Sequence, residues 1–280
     1  MIEVGPNSYG KSAIRLVKVV RGATPHRVRD LTIAIALEGD FATSYSEGDN
    51  SGVIATDTMK NTAYALAGEH LTGSIEAYGL ALGRHFLAAS QVERAKVTIA
   101  EHAWLPIGGA PDAFTRDGSS TRTAVVVAGR DGDAFRAGIA DLSIMKTTRS
   151  AFAGFPRDGF TTLKETDDRI MATKVTASWA YDPGADAPQV DFDASFAAVR
   201  STLLEVFADH HSVSVQASIW IVGKAILERH PEVGEVSMSL PNLHHWTYDL
   251  SPFGIDNDRE VYISTTEPHG LIEATIRRGA

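Results

Sequence analysis

The same order of secondary-structure patterns occurs twice along the chain. In the first half, residues 13–21 are rich in valine and isoleucine, and residues 31–37 alternate between large and small side chains. Both patterns predict strands, and the polar loop between them predicts an antiparallel pair. A helix with an apolar stripe follows from Ile75, and residues 95–100 and 123–128 again predict strands. The first half is therefore expected to contain a hairpin, helices and a second hairpin.

The second half follows the same order. Residues 139–146 and 170–181 predict strands, and the turn signal Asp182-Pro183-Gly184 predicts the end of the second one. Apolar residues then recur at helical spacing over residues 196–207 and over residues 215–226. The remaining predictions are a helix N-cap at Asp191 or Asp193, a helix end near Pro231, and strands over residues 236–240 and 260–265.

A short internal similarity supports duplication of one unit. Residues 92–104 (VERAKVTIAEHAW) and residues 233–246 (VGEVSMSLPNLHHW) both follow a helix, alternate like a strand and end in histidine and tryptophan. We therefore expect an α+β chain of two tandem units, residues 1–140 and residues 141–280, each an antiparallel sheet backed by helices on one face. Such sheets have open edges, and association of several subunits into a closed barrel would cover them.

Composition excludes several classes of function. The formal net charge of −9, without any clustered basic surface, argues against nucleic acid as a partner. The chain has no cysteine, which excludes disulfides, thiolate nucleophiles and thiolate-bound metal centres. We find no apolar run long enough for a membrane helix, no secretory signal and no peroxisomal tail, so we expect a soluble, cytoplasmic protein without a membrane partner.

The segment from residue 152 to residue 169 has the composition of a binding site. It reads FAGFPRDGFTTLKETDDR and lacks a sustained apolar period of either two or about 3.6 residues. The simpler interpretation is a solvated connector between two elements. Phe152 at one end offers a flat apolar face, however, and Arg169 at the other offers a planar fork of donors. Together they suit the binding of a flat, polar ring.

Familiar cofactor and hydrolase motifs are missing from the chain. It contains no GxxxxGK[ST] loop, no strand-bounded GxGxxG, no HExxH and no Gly-x-Ser-x-Gly elbow. The pairs His210-His211 and His244-His245 leave a metal site open as an alternative, although adjacent strand residues point to opposite faces. Asn242 and His244 come right after a predicted strand, where their side chains would project to one face.

Other polar residues have plain explanations when each is taken alone. Lys11 lies just before the first strand and reads as a solvated charge. Either Thr56 or Asp57 could cap a helix start. Gln216 occupies the matching helix start of the second half, where local capping is again the simple explanation.

Taken together, these residues and their neighbours resemble the urate oxidase family, also called uricase. The matching blocks occur in family order between residues 9 and 244, and the block over residues 152–170 is the most specific. The blocks are Tyr9-Gly10-Lys11, Asp49-Asn50-Ser51, Ala55-Thr56-Asp57 with Lys60-Asn61, Phe152-x-Gly-Phe with Arg157-Asp158, Thr161-Thr162-Leu163-Lys164-Glu165-Thr166, Asp168-Arg169-Ile170, Ser214-Val215-Gln216 and Leu240-Pro241-Asn242-Leu243-His244.

The resemblance implies a fold, an assembly and a reaction. The fold would be the tunnelling fold, in which each half is one hairpin, helices and hairpin unit, and the subunits assemble into a homotetramer. The family oxidises urate with molecular oxygen and water to 5-hydroxyisourate and hydrogen peroxide, without a metal or an organic cofactor. The implied partners are urate, oxygen and further copies of the chain.

By the same resemblance, one set of residues binds the substrate. Phe152 would stack on the purine plane, while Arg169 and Gln216 hold the edge of the ring with help from the backbone of Val215. Asp57 matches a further substrate-contacting position.

A second set would carry the chemistry. Lys11 and Thr56 match the proton-relay pair of the family, and His244 completes the relay. Asn242 matches the residue that, with Thr56, holds oxygen or water over the ring. In the family, the residues of the first half and those of the second half come from different subunits and meet at an interface.

Two alternatives stay open at this point. One is another tunnelling-fold enzyme that acts on a purine or pterin, with zinc held by histidines. The other is a protein that binds a flat heterocycle without any catalysis. Stoichiometric zinc that is needed for turnover would indicate the first, and urate binding without peroxide release would indicate the second.

Overall fold

Strands and helices follow one another in the order that the apolar periods predict. The structure is a computed structural model that describes residues 2–182 and 189–279. The strands are β1 (Tyr9–Val20), β2 (Arg27–Gly39), β3 (Val92–His102), β4 (Trp104–Pro106), β5 (Phe114–Arg116), β6 (Thr121–Gly129), β7 (Ala134–Lys146), β8 (Met171–Tyr181), β9 (Val233–Thr247) and β10 (Tyr262–Arg277). The helices are α1 (Ala42–Ser46), α2 (Thr56–His70), α3 (Ile75–Leu87), α4 (Phe192–Asp209) and α5 (Val215–Arg229), with a 3-10 turn at Ser251–Phe253.

The chain divides into two compact units. The first comprises Met1–Gly138 and Trp179–Ala197, and the second comprises Ile139–Ser178 and Ala198–Ala280. The expected tandem units 1–140 and 141–280 stay a prediction. Among the described residues, no helix is both long enough and apolar enough to cross a membrane.

The first unit is built on an antiparallel sheet in which β1, β2, β3 and β6 lie side by side in that order. Large and small residues alternate along β2, and the large ones are the buried ones. They face a core that also contains Met59 from α2 and Tyr78 and Phe86 from α3. Each such side chain contributes about 1.5–3 kcal/mol when it is fully buried. The β2 residues at most 1% exposed are Leu31, Ile33, Ile35 and Leu37.

In the second unit, β7, β8, β9 and β10 lie side by side in that order. Helix α5 packs on β9 and β10, and its apolar stripe places Val222 and Ile226 in the core. Gly223 allows this close approach, because a Cβ atom there would lie only 2.6 Å from Cγ1 of Ile276. The apolar side of α5 therefore packs against one face of the sheet, as expected.

The start of α4 distinguishes between the two predicted caps. The Ala194 N–H donates to Oδ1 of Asp191 at 2.9 Å, which makes Asp191 the capping residue. Asp193 instead accepts a bond from Nη1 of Arg122 at 2.6 Å, so Asp191 is the cap among the two predicted residues. The turn predicted at Asp182-Pro183-Gly184 falls mostly outside the described residues. Helix α5 ends at Arg229, two residues before Pro231, as predicted.

The last two strands are longer than their apolar patterns predict. Beyond Leu240 the sequence loses its apolar alternation, yet β9 continues because β10 pairs with it, His244 lying opposite Thr265 and Asn242 opposite Gly270. Residues 266–269 interrupt the register between these two pairs. Pairing with β10 satisfies the backbone N–H and C=O groups of β9 even where its side chains are not apolar. Asn242 and His244 therefore lie inside β9 rather than after a strand end.

Candidate active site

A pocket of about 610 Å³ opens in the second unit. Its walls come from the segment before β8, the start of α5 and the outer half of β9. The residues that the sequence predicts for the substrate or relay in this half of the chain, and that line the pocket, are Phe152, Arg169, Val215, Gln216, Asn242 and His244.

Backbone hydrogen bonds close the segment 152–169 into a loop. Phe152 and Thr166 exchange two of them, with N-to-O distances of 2.8 and 3.0 Å. The Arg169 N–H donates to the Ser150 carbonyl at 2.7 Å. The two ends of the loop therefore lie side by side, which brings Phe152 and Arg169 to one wall of the pocket although they are distant in the segment.

Arg169 is a half-buried cation without a counter-ion in the described part of the chain. Its guanidinium lies 5.3 Å from the centre of the Phe152 ring, and its buried Nε has no hydrogen-bond partner among the described residues. Burial lowers the pKa of the Arg169 guanidinium. An unpaired guanidinium beside an aromatic ring is suited to a planar anion, which can accept its donors and lie against the ring.

The neighbouring carboxylate is engaged elsewhere. Asp168 accepts hydrogen bonds from Oγ1 of Thr148 at 3.0 Å and from the Arg149 N–H at 2.8 Å. The Asp168 carboxylate therefore binds residues that precede the loop and does not form an ion pair with Arg169. This arrangement leaves the Arg169 donors available to a ligand.

The start of α5 presents Val215 and Gln216 to the pocket. Ser214 is the N-cap, and its hydroxyl accepts from the Ala217 N–H. Local capping, the simple explanation of Gln216, therefore does not apply, and the Gln216 side chain is exposed on the pocket wall. Helix α5 directly precedes β9, as α3 directly precedes β3. By element order the start of α5 therefore corresponds to the start of α3, where Ser74 is the cap, and not to the start of α2.

His244 lies in the pocket wall beside Arg169. Burial lowers the pKa of His244, and the charges of Arg169, His269 and His245 lower it further. The ring stacks on Trp246 with 5.2 Å between ring centres. A neutral imidazole in this position can accept or pass on a proton.

Lys11 lies in β1 of the first unit, opposite Ile35 of β2. A β-bulge follows directly, since Ile14 is the next paired residue, and Ala13 in the bulge has a φ of +56°. The Tyr9 hydroxyl accepts from the Ile54 N–H at 2.8 Å and so ties this strand end to the residues before α2. Bulges commonly re-aim side chains next to functional sites.

Thr56 and Asp57 lie in the first turn of α2. The N-cap is Ala55, without any side-chain cap bond, so the prediction that Thr56 or Asp57 caps this helix was wrong. Asp57 accepts from Lys60, and this bond, the Lys60 charge and a smaller effect of the Lys11 charge lower the pKa of Asp57. The Thr56 hydroxyl makes no hydrogen bond within the described residues, which leaves it available for a relay.

Among residues 2–182 and 189–279, no group of three or more histidine, aspartate or glutamate side chains is placed so that it could hold a metal ion. His210 has a packing role, since Nδ1 donates to the Val206 carbonyl at 2.7 Å and Nε2 lies 2.8 Å from the Ser218 hydroxyl. His245 Nδ1 donates to the Leu243 carbonyl at 3.1 Å.

Several residues of the pocket wall were missed at the level of the sequence. Trp246 had a signal, because it closes the repeated strand motif. Arg259 gave no signal, because it is one charge in a polar stretch. Tyr262 gave none either, because it is one apolar residue in a short predicted strand. The additional wall residues include Thr147, Trp246, Thr247, Arg259 and Tyr262.

Comparison with known proteins gives one family. A sequence model of the uricase family matches residues 7–127 and 135–273. Uricase of Arthrobacter globiformis is 45% identical over 278 residues, which cover 99% of this chain and 90% of that protein. Uricase of Dictyostelium discoideum is 41% identical over 281 residues, covering 97% of this chain and 96% of that protein.

A solved structure agrees with the sequence comparison. The crystal structure of uricase from Arthrobacter globiformis matches with a TM-score of 0.94 at 44% identity, covering 99% of this chain and 96% of that chain. Near-complete coverage in sequence and in fold leaves no large part of the chain unexplained. The chain belongs to the uricase family.

Proposed function

We propose that this protein is a urate oxidase, which oxidises urate with oxygen and water to 5-hydroxyisourate and hydrogen peroxide. The observation that carries the proposal is the Arg169 guanidinium beside the Phe152 ring, without a counter-ion in the described part of the chain, in a pocket of a chain that belongs to the uricase family.

Urate binding follows from the chemistry of this wall. At neutral pH urate is a planar anion edged with carbonyl and N–H groups, so Arg169 and the Gln216 amide offer complementary, charge-assisted hydrogen bonds. The Val215 backbone lies beside them at the helix start. Stacking on Phe152 adds roughly 1 kcal/mol beyond the buried area.

The chemistry requires a proton to leave the substrate. Oxygen reacts slowly with closed-shell molecules, and a more electron-rich urate dianion is a better electron donor. We propose that Lys11 and Thr56 remove this proton and that His244 completes the relay, while Asn242 and Thr56 hold oxygen or water above the ring. No metal or organic cofactor takes part in this proposal, and Asp57 contacts the substrate beside Thr56.

The proposed relay joins residues of both units. We infer that Lys11, Thr56 and Asp57 of one subunit meet the pocket of a neighbouring subunit in a homotetramer. Support comes from the sheet edges, because β1 ends the strand order of the first unit and β10 that of the second. Both carry exposed apolar residues, including Val17 at 61% and Leu271 at 59% exposure.

Two structural features that occur in both units support tandem tunnelling-fold units. Lys18 of β1 donates to three carbonyls at the end of α2, and Lys146 of β7 donates to three carbonyls at the end of α4. Five residues before each lysine stands a residue of positive φ, Ala13 at +56° and Asp141 at +63°. Repetition of both features at one spacing is expected of a duplicated unit.

One experiment tests this proposal against its alternatives. Chelator-treated protein is expected to consume urate and oxygen and to release peroxide, and Lys11→Ala or Thr56→Ala should reduce turnover at least about a hundredfold. Lys224→Ala, on the exposed face of α5, serves as the control and should retain full activity.

The other outcomes are equally clear. Loss of turnover on chelation, restored by zinc, would establish a metal enzyme instead. Binding of urate without peroxide release would establish a heterocycle-binding protein. Full activity of Lys11→Ala would contradict the proton relay.

A further inference from the structure

Arg259 is a second cation in the wall of the pocket that contains Arg169. It lies on the connection between β9 and β10, and its side chain is 59% exposed. None of the matching family blocks in the sequence includes it. Its surroundings nevertheless differ from those of an ordinary surface arginine in three respects.

First, the backbone that carries Arg259 is held in an unusual conformation. The Asn257 side chain donates to the carbonyls of Tyr248 at 2.8 Å and Val261 at 2.7 Å, and accepts from the N–H groups of Glu260 and Val261. Arg259 itself has a φ of +58°, in the left-handed region that non-glycine residues rarely adopt. Such strain is concentrated at functional sites, where neighbouring bonds maintain it.

Second, the counter-ion of Arg259 is loosely held. Nη1 of Arg259 lies 3.8 Å from Oδ2 of Asp168, beyond hydrogen-bond distance. Asp168 already accepts from the Thr148 hydroxyl and the Arg149 N–H at 3.0 and 2.8 Å. An exposed pair at this distance contributes little, so Arg259 can exchange it for another anion.

Third, both carboxylates of the pocket wall are engaged with the chain. Glu165 accepts from the Gly154 N–H at 3.0 Å, as Asp168 does from Arg149. Arg169 lacks a counter-ion in the described residues, and Arg259 has a weak one. The wall therefore offers two available guanidinium groups to one bound molecule.

We propose that Arg259 is a second anion-binding residue of this pocket, which leaves Asp168 and binds the negative charge of the incoming substrate. The inference rests on the proposed function, which makes that substrate a planar purine anion. Arg169 holds the anion in the wall, and Arg259 captures it from the side of the β9–β10 connection.

The test measures urate binding by equilibrium dialysis without oxygen, so that no turnover occurs. Arg259→Gln should weaken binding about tenfold, because it removes one hydrogen bond to a charged group. Arg259→Lys should restore most of the affinity. The binding constant of Arg259→Gln should also depend less on salt than that of the unaltered protein. With oxygen present, KM should rise while kcat stays within about twofold.

Arg229→Gln is the matched control, since Arg229 is an exposed arginine at the end of α5, outside the pocket wall, whose Nη1 lies 3.4 Å from Oε2 of Glu205. It should change neither affinity nor salt dependence. Affinity of Arg259→Gln within twofold of the unaltered protein would overturn the proposal. A loss of affinity with unchanged salt dependence, or without rescue by lysine, would also overturn it, since that is the result of a structural role.

The dialysis separates this inference from the proposed function. If the unaltered protein binds urate but releases no peroxide, urate oxidation is refuted while the effect of Arg259 on binding still stands or falls by its own result. If the unaltered protein binds no urate, both proposals are overturned.

Discussion

His244 combines a lowered pKa with a place in the pocket wall. Burial comes first among the causes, followed by the positive charge of Arg169 and those of His269 and His245. Because its pKa lies below the usual 6.5, the ring is neutral at pH 7 and can accept a proton. Activity should therefore be lost as the pH falls through this lowered pKa.

The Arg169 charge can be tested through His244. Arg169→Gln should raise the pKa of His244, because it removes a positive charge that disfavours the protonated ring. NMR titration of labelled histidine rings measures this directly and does not require activity. Arg229→Gln, the control, should leave the His244 titration unchanged. An unchanged His244 pKa in Arg169→Gln would mean that burial alone sets it.

At the scale of elements, the second residue after the N-cap has different roles in α3 and in α5. Glu76 stands two residues after the capping Ser74, as Gln216 stands two residues after the capping Ser214. Gln216 is exposed in a pocket, whereas Glu76 is 0% exposed and accepts from Nη2 of Arg122 on β6 at 2.8 Å. The same position therefore binds a ligand in the proposed function of one unit and connects two elements in the other.

Glu76 makes stability depend on pH. Burial raises the pKa of Glu76 to about 7, and the Arg122 charge opposes this without overcoming it. Oε1 of Glu76 is buried and has no hydrogen-bond partner among the described residues. The folded state then holds a proton that the unfolded state releases from about pH 4.5 upward. Stability should fall between these values by at most about 3.4 kcal/mol.

The variant Glu76→Gln should remove this dependence. Its thermal midpoint, relative to that of the unaltered protein, should rise as the pH increases from about 5 to about 8. Thermal unfolding followed by circular dichroism at several pH values measures the difference. Glu205→Gln, an exposed glutamate of α4 paired with Arg229 at 3.4 Å, is the control and should show no such trend. A constant difference for Glu76→Gln would contradict the assignment.

At the scale of the whole molecule, the residues of the proposed site come from both units. Lys11 and Thr56 lie in the first, and Arg169 and His244 lie in the second. If neighbouring subunits supply the two sets, a variant defective in one set can complement a variant defective in the other.

Co-expression of Lys11→Ala chains with Arg169→Gln chains tests this. Each variant alone should be nearly inactive, but equal mixing should restore roughly a quarter of the sites, since half of the chains supply each intact set. Turnover per site in the purified mixed tetramer is the measurement. Co-expression of Lys11→Ala with Lys11→Ala, Arg169→Gln double-variant chains is the control and should stay inactive. An inactive first mixture would mean that one chain supplies both sets.

Much of the fold could be predicted, because strands and helices reflect apolar periods among near neighbours. The stripe from Ile75 and the alternation from Leu31 both correspond to buried faces. Family resemblance also selected pocket residues such as Phe152 and Asn242. Local capping at Thr56 was wrong, because a pattern cannot tell the N-cap from the first helical residue. Arg259 was missed because a charge in a polar connection has no periodic signal.

The amino-acid sequence by itself determined the order of elements, the apolar faces and the family, since these depend on residue type and spacing. Only the tertiary structure decided which charges have partners. Within the described residues the Arg169 guanidinium has no counter-ion, because Asp168 accepts from Thr148 and Arg149 instead, and Glu76 is buried where β6 brings Arg122 to it. Electrostatic environment depends on groups that are distant in sequence and close in space, and it is this environment that makes a pocket wall suitable for an anion.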